Sequence, residues 1–191
     1  MGKDLIMIPY DDISTFFHGY IEQLSLSVDD IADVTGSAAS LATQTIINEK
    51  KLIVCGVGPD AAGAGLLTEL LQQGLYRERP AIPAIELTSR HITSLDPGVG
   101  WLTQQLTALG QPGDLVILYA TSLTQVDLEF LSSAIAKRNL TSIWVGAQGI
   151  GPSLAFPGAD RATALALSQC CSICLARLID ISLFGTLEDN T

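Results

Sequence analysis

A chain of 191 residues with 48% hydrophobic content is long enough to bury one α/β core, and its length points to a single domain. Twenty acidic against ten basic side chains leave a formal charge of −10, which argues against direct contact with a nucleic-acid backbone, because displacing counterions needs a basic surface. No apolar run approaches the roughly 20 residues that cross a bilayer, and the first ten residues lack a signal-peptide pattern, so the sequence predicts a cytoplasmic protein without membrane contact.

In chain order, Ile13, Phe16, Phe17, Tyr20, Ile21 and Leu24 recur at helical spacing and predict a first helix over 13–26. A second helix is predicted over 28–48, with Asp29 and Asp30 in its acidic first turn. Apolar runs at 52–55, 82–87, 115–119 and 142–145 predict strands. Between them lie predicted helices over 60–75, 100–109 and 124–138, and a last helix runs over 164–183. Short uninterrupted apolar strands alternating with helices predict a three-layer αβα sandwich around a parallel sheet. Residues 111–114 and 146–157, rich in Gly and Pro, predict loops. The expected organisation is one domain: residues 1–48 a helical oligomerisation segment, 49–184 the α/β core, and 185–191 an acidic, frayed tail.

The segment 52–80 carries the chemistry. A strand meets a glycine turn at Gly56 and Gly58, and a helix starts at Asp60, a layout that presents free backbone N–H groups to an anion. Asp60, however, puts a carboxylate where a neutral hydroxyl would receive a phosphate. A carboxylate about 4 Å from a phosphate oxygen repels it by about 4 kcal/mol at an effective dielectric near 20. The helix dipole returns only about 0.3–1 kcal/mol. Asp60 is therefore expected to be an N-cap that fills the anion position itself, and Pro59 removes a further N–H donor. A second hydroxyl-bearing loop follows the third strand at Thr121, Ser122 and Thr124. It fits either residual anion binding or a helix start, since Thr124-Gln125-Val126-Asp127 has the form of an N-cap with an acid at N3. Cys55, Cys170, Cys171 and Cys174 read as reduced thiols. Cys170 and Cys174 lie one turn apart, but without further Cys or His nearby they are expected to pack as small hydrophobes, and no metal or cofactor is predicted.

These residues resemble the sugar isomerase (SIS) domain family, in the branch of phosphoheptose isomerases and of DiaA, a bacterial protein that binds the replication initiator DnaA. The resemblance covers nearly the whole chain. Its anchors are Cys55-Gly56-x-Gly58, Arg79-Pro80-x-x-Pro83-Ala84-Ile85, Leu109-Gly110-x-x-Gly113-Asp114, Thr121-Ser122 and, as in DiaA, Leu178-Ile179-Asp180-x-x-Leu183-Phe184. It implies a flavodoxin-like SIS fold, a homotetramer, and phosphosugar loops at Gly56, Gly58, Asp60, Thr121, Ser122 and Thr124. Carried over position by position, the isomerase site is mostly lost. The family's helix His and catalytic Glu fall on Leu66 and Leu70, with Glu69 about 100° round the helix from the needed position. The C-terminal Gln and His fall on Leu165 and Ile173 in one register and on Thr163 and Cys171 in another. The remaining acid and base candidates, Glu69, Glu86, Asp96 and His91, match no motif position.

The expectation is a non-catalytic, DiaA-like protein with a degenerate phosphosugar site. It would bind a DnaA-type initiator through Leu183 and Phe184, and a sugar phosphate weakly if at all. The alternative is a divergent sedoheptulose 7-phosphate isomerase, or a sugar-phosphate sensor that keeps only its second loop. Broad apolar arcs on the N-terminal and C-terminal helices predict subunit-to-subunit helix packing.

Overall fold

The structure, a computed structural model, describes residues 10–75, 77–89 and 98–186. Helix α1 (Tyr10–Ile47) leads into strand β1 (Leu52–Val57), and a 3₁₀ turn (Gly58–Asp60) opens helix α2 (Ala61–Gln73). Then come β2 (Ala84–Ser89), α3 (Val99–Leu109), β3 (Leu115–Tyr119), α4 (Gln125–Lys137), β4 (Thr141–Val145), β5 (Ser153–Leu154) and α5 (Arg161–Phe184). All strand pairs are parallel, in the order β2-β1-β3-β4-β5. The chain steps from β1 to one side and then returns to the other, so β1 and β3 flank the switch point where open parallel sheets leave a crevice beyond their strand ends.

The strand pleat divides the core in two. Leu52, Val54, Leu115, Ile117, Tyr119, Ile143 and Val145 face a layer that includes Ala38, Ala42, Leu67, Leu71, Leu175 and Ile179 of α1, α2 and α5. Ile53, Cys55, Val57, Val116, Leu118 and Trp144 face α3 and α4, where Leu102, Leu106, Leu131 and Ile135 are buried. Every residue of β1 and β3 is buried, which is why these segments read as unbroken apolar runs.

The structure corrects three expectations. The two N-terminal helices are one helix of 38 residues, because nothing between 13–26 and 28–48 breaks it. Ser27 is buried there and accepts a hydrogen bond from Gln23 Nε2, and Asp29 and Asp30 sit mid-helix rather than in a first turn. The loop at 146–157 contains β5, only two residues long, held against β4 by Trp144 N–H donating to the Pro152 carbonyl and Gly146 N–H to that of Leu154. Helix α5 does reach the length and mean hydropathy, 1.6, of a bilayer-crossing helix. Its Leu167, Cys171, Leu175 and Ile179 nevertheless form a stripe at fourfold spacing buried in the core, and Ser168, Ser172 and Asp180 are buried beside it.

Candidate functional site

At the β1–β3 switch point the chain turns sharply after β1. A Cβ on Gly56 would lie 2.5 Å from the Asp60 carbonyl oxygen, so only glycine admits the 3₁₀ turn so close to the strand. Gly58 has φ +59°, in the left-handed region, and Pro59 follows as the turn's next residue. These residues place Asp60 with right-handed helical backbone angles at the start of α2, where its side chain makes no capping bond. This corrects the expected N-cap role.

The Asp60 carboxylate reaches across to the loop after β3. Thr121 donates its N–H (3.1 Å) and its hydroxyl (2.5 Å) to Oδ1, and Ser122 donates its N–H (3.0 Å) and its hydroxyl (2.5 Å) to Oδ2. Asp60 is 1% exposed. Four donors that could surround an oxyanion thus converge on a carboxylate of the chain itself. Thr124 stands apart from this constellation. Its hydroxyl accepts from Asp127 N–H, and Asp127 Oδ2 accepts from Thr124 N–H, forming the capping box of α4.

The two α2 positions matched to isomerase catalysis lie in apolar surroundings. Leu70 is buried and Leu66 half-buried on α2, both against the α1–α2–α5 core. Thr163 and Leu165 are half-buried, Ile173 is exposed and Cys171 is core. Glu69 and Glu86 are exposed and line one cavity of about 460 Å³ together with Leu66, Gln72 and Gln73, with Thr88 Oγ1 donating to Glu86 Oε1 at 2.6 Å. His91, Asp96 and the tail from residue 187 lie outside the described residues. Among the described residues no three His, Cys, Asp or Glu side chains gather as a metal site. Burial, with Cys174 and Cys170 nearby, pushes the Cys171 thiol up to about 12, and burial pushes Cys55 upward as well. Cys170 and Cys174 are exposed, and the Tyr20 hydroxyl lies 2.9 Å from Cys170 Sγ.

Leu183 and Phe184 are not near Asp60. α2 and α5 run side by side in the same direction: Ser172 Oγ is 3.5 Å from Gly63 O, and both helices end at a shared knot of charge. There Arg79 pairs with Asp180 and donates to the Leu70 and Leu71 carbonyls at the end of α2. Arg77 lies 3.1 Å from the other Asp180 oxygen and donates to the Phe184 and Gly185 carbonyls at the end of α5. The two arginines therefore satisfy carbonyls that helix C-termini leave open. Leu183 packs against the core, whereas Phe184 is 38% exposed, its ring centroid 5.6 Å from the Arg79 guanidinium carbon. Sequence reasoning quoted Arg79 and Asp180 as motif residues but did not pair them, because 101 residues separate them. The buried Tyr119–Ser172 bond (2.5 Å) carried no sequence signal either.

No protein-family model matches the chain. A phosphoheptose isomerase of Methylococcus capsulatus is 27% identical, over 94% of this chain and 100% of that protein. A DnaA initiator-associating protein DiaA of Photorhabdus laumondii is also 27% identical, over 94% of this chain and 99% of that protein. The solved structure of a phosphoheptose isomerase from Francisella tularensis superposes with a TM-score of 0.76 at 21% identity, covering 89% of this chain and 97% of that one, a likeness of fold.

Proposed function

We propose, from the premise that the homologues of this chain are the phosphoheptose isomerases and DiaA proteins of the sugar isomerase domain family, that it is a non-catalytic member which binds a DnaA-type replication initiator. The observation that carries this reading is the Asp60 carboxylate, which takes up the four donors that a sugar phosphate would need. A phosphate entering beside it meets the like-charge repulsion of about 4 kcal/mol derived above. Leucines at 66 and 70 leave α2 without a proton-transfer pair at the positions the isomerases use, and moving a proton between adjacent carbons requires one.

The partner surface in this reading centres on Phe184, which sits at the end of the fold opposite the Asp60 crevice and offers an aromatic anchor. The assembly is proposed as a homotetramer held through α1, whose Ile13, Phe16, Phe17 and Ile21 are all exposed in the single chain. Covering them against other subunits removes that apolar area from water.

A second reading, a divergent isomerase, is favoured by one feature: Glu69 and Glu86 share a cavity beside Leu66. Two measurements separate the readings. Purified protein should retain DnaA in a pull-down and show no turnover of sedoheptulose 7-phosphate above a no-enzyme control. Turnover that falls when Glu69 or Glu86 is changed to Gln would establish the enzyme and overturn the non-catalytic reading.

A further inference from the structure

Helices α3 and α4 cover the face of the sheet opposite α1 and α5, and their outer side carries an apolar seam. On α4, Val126, Phe130, Ser133 and Lys137 recur at spacings of four, three and four, so they lie in one stripe, and all four are exposed. Val126 is 74% exposed and Phe130 53%. Beside this stripe α3 carries no charged residue over its whole length. Between the two helices opens a cavity of about 180 Å³, lined by Thr103, Thr107, Ser133 and Ala134, with Phe130 and Lys137 at its exposed edge. A cavity of roughly 150 Å³ accepts a benzene ring, so this one has room for a single phenyl side chain. The charges beside the stripe run from acidic to basic along α4: Glu129 adjoins Phe130, and Lys137 closes the last turn. Both are exposed, and among the described residues neither forms an ion pair. They stand eight residues apart, about 12 Å along the axis, too far to pair within one chain.

We propose that this face binds a second copy of the chain, with the two α4 helices antiparallel about a twofold axis. Setting that axis between Phe130 and Ser133 puts Phe130 of each copy over Ser133 of the other, at the mouth of the other's cavity. The same register brings Glu129 of each copy within one turn of Lys137 of the other. A twofold contact must be complementary to itself, and α4 meets that condition because one helix carries the ring, the cavity wall and both charges. An aromatic ring entering an apolar cavity is the kind of anchor that dominates such contacts. The contact uses the layer opposite α1, so it does not rest on the tetramer proposed above.

The test is sedimentation equilibrium at low salt on the full chain carrying Phe17→Glu, which removes association through α1. A monomer–dimer equilibrium is expected. Phe130→Ala should weaken it by about tenfold or more. Each charge pair occurs twice about the axis, so Glu129→Lys or Lys137→Glu alone replaces two attractions by two repulsions and should also weaken it by about tenfold. The two reversals together should restore it to within about threefold of the starting value, a rescue that only contact between copies produces. Phe130, Glu129 and Lys137 are exposed, so circular dichroism melts of dilute protein should stay near those of the starting chain. A chain that remains monomeric up to about 1 mM, a dimer that Phe130→Ala leaves intact, or a double reversal no tighter than either single one overturns the proposal.

Discussion

Removing the Asp60 carboxylate is the sharpest test of how the switch-point loops are held. In Asp60→Ala, the N–H groups of Thr121 and Ser122 lose their acceptor, while the two hydroxyls can turn to solvent because both residues are half-buried. A buried N–H left open costs about 1–3 kcal/mol, and a hydrogen bond to a charged group contributes about 1.5–3 kcal/mol. Against this stands the desolvation of an ionised carboxylate, several kcal/mol, which the variant no longer incurs. The balance gives a net loss of about 2–4 kcal/mol, near the lower part of the range for broken buried charge networks. For a chain of this length that corresponds to a fall in Tm of about 5–15 °C. The vacated donors then form an anion site. Phosphate at about 100 times its Kd should return about 2.7 kcal/mol to the Asp60→Ala chain and nothing to the chain that keeps Asp60. Paired thermal melts in chloride and in phosphate read both effects. A stability loss below about 0.5 kcal/mol, within the range of an ordinary surface change, would show that the four bonds do not stabilise the fold. Phosphate raising both melts equally would show that the carboxylate is not what keeps anions out.

Other outcomes follow from separate parts of the structure. Phe184→Ala should weaken the proposed DnaA binding by about tenfold, roughly 1.4 kcal/mol, with little change in Tm, whereas Leu183→Ala should lower Tm because Leu183 packs against the core; a Phe184→Ala chain that binds DnaA as the parent does in surface plasmon resonance, or a parent that does not bind it, removes the partner assignment. Burial would raise the Asp114 carboxyl, but bonds from the Lys51 side chain and the Gln111 and Lys51 N–H groups outweigh it and hold it below 3.8. Asp114→Asn should therefore cost about 1–2 kcal/mol at neutral pH. The native contribution is fully present above the unfolded value near 3.8 and fades as pH falls through the lower folded value, so urea melts of parent and variant should converge in strong acid. Phe17→Glu, on the exposed apolar face of α1, should dissociate the proposed tetramer in light-scattering chromatography without unfolding the chain, and a parent and variant of equal mass would remove the proposed contact through α1.

The sequence by itself determined the layered α/β class, because those signals were local, although it divided α1 in two and left β5 in a loop. β1 and β3 are buried on both faces, so their composition alone marks them as inner strands, and Thr124 with Asp127 announced the start of α4 through a bond spanning three residues. The expectation that Asp60 disfavours a phosphate also came from the sequence, since charge needs no coordinates. Only the tertiary structure decided what Asp60 does instead. A residue before a helix has an N-cap as its nearest use, and the competing acceptor geometry comes from a loop 61 residues away that the parallel β1–β3 register brings alongside. The same reason hid the Arg79–Asp180 pair and the packing of Leu183 against the core. Both join elements far apart in the chain, and side-chain contact across such distances is set by how the layers pack, which periodicity and spacing do not encode.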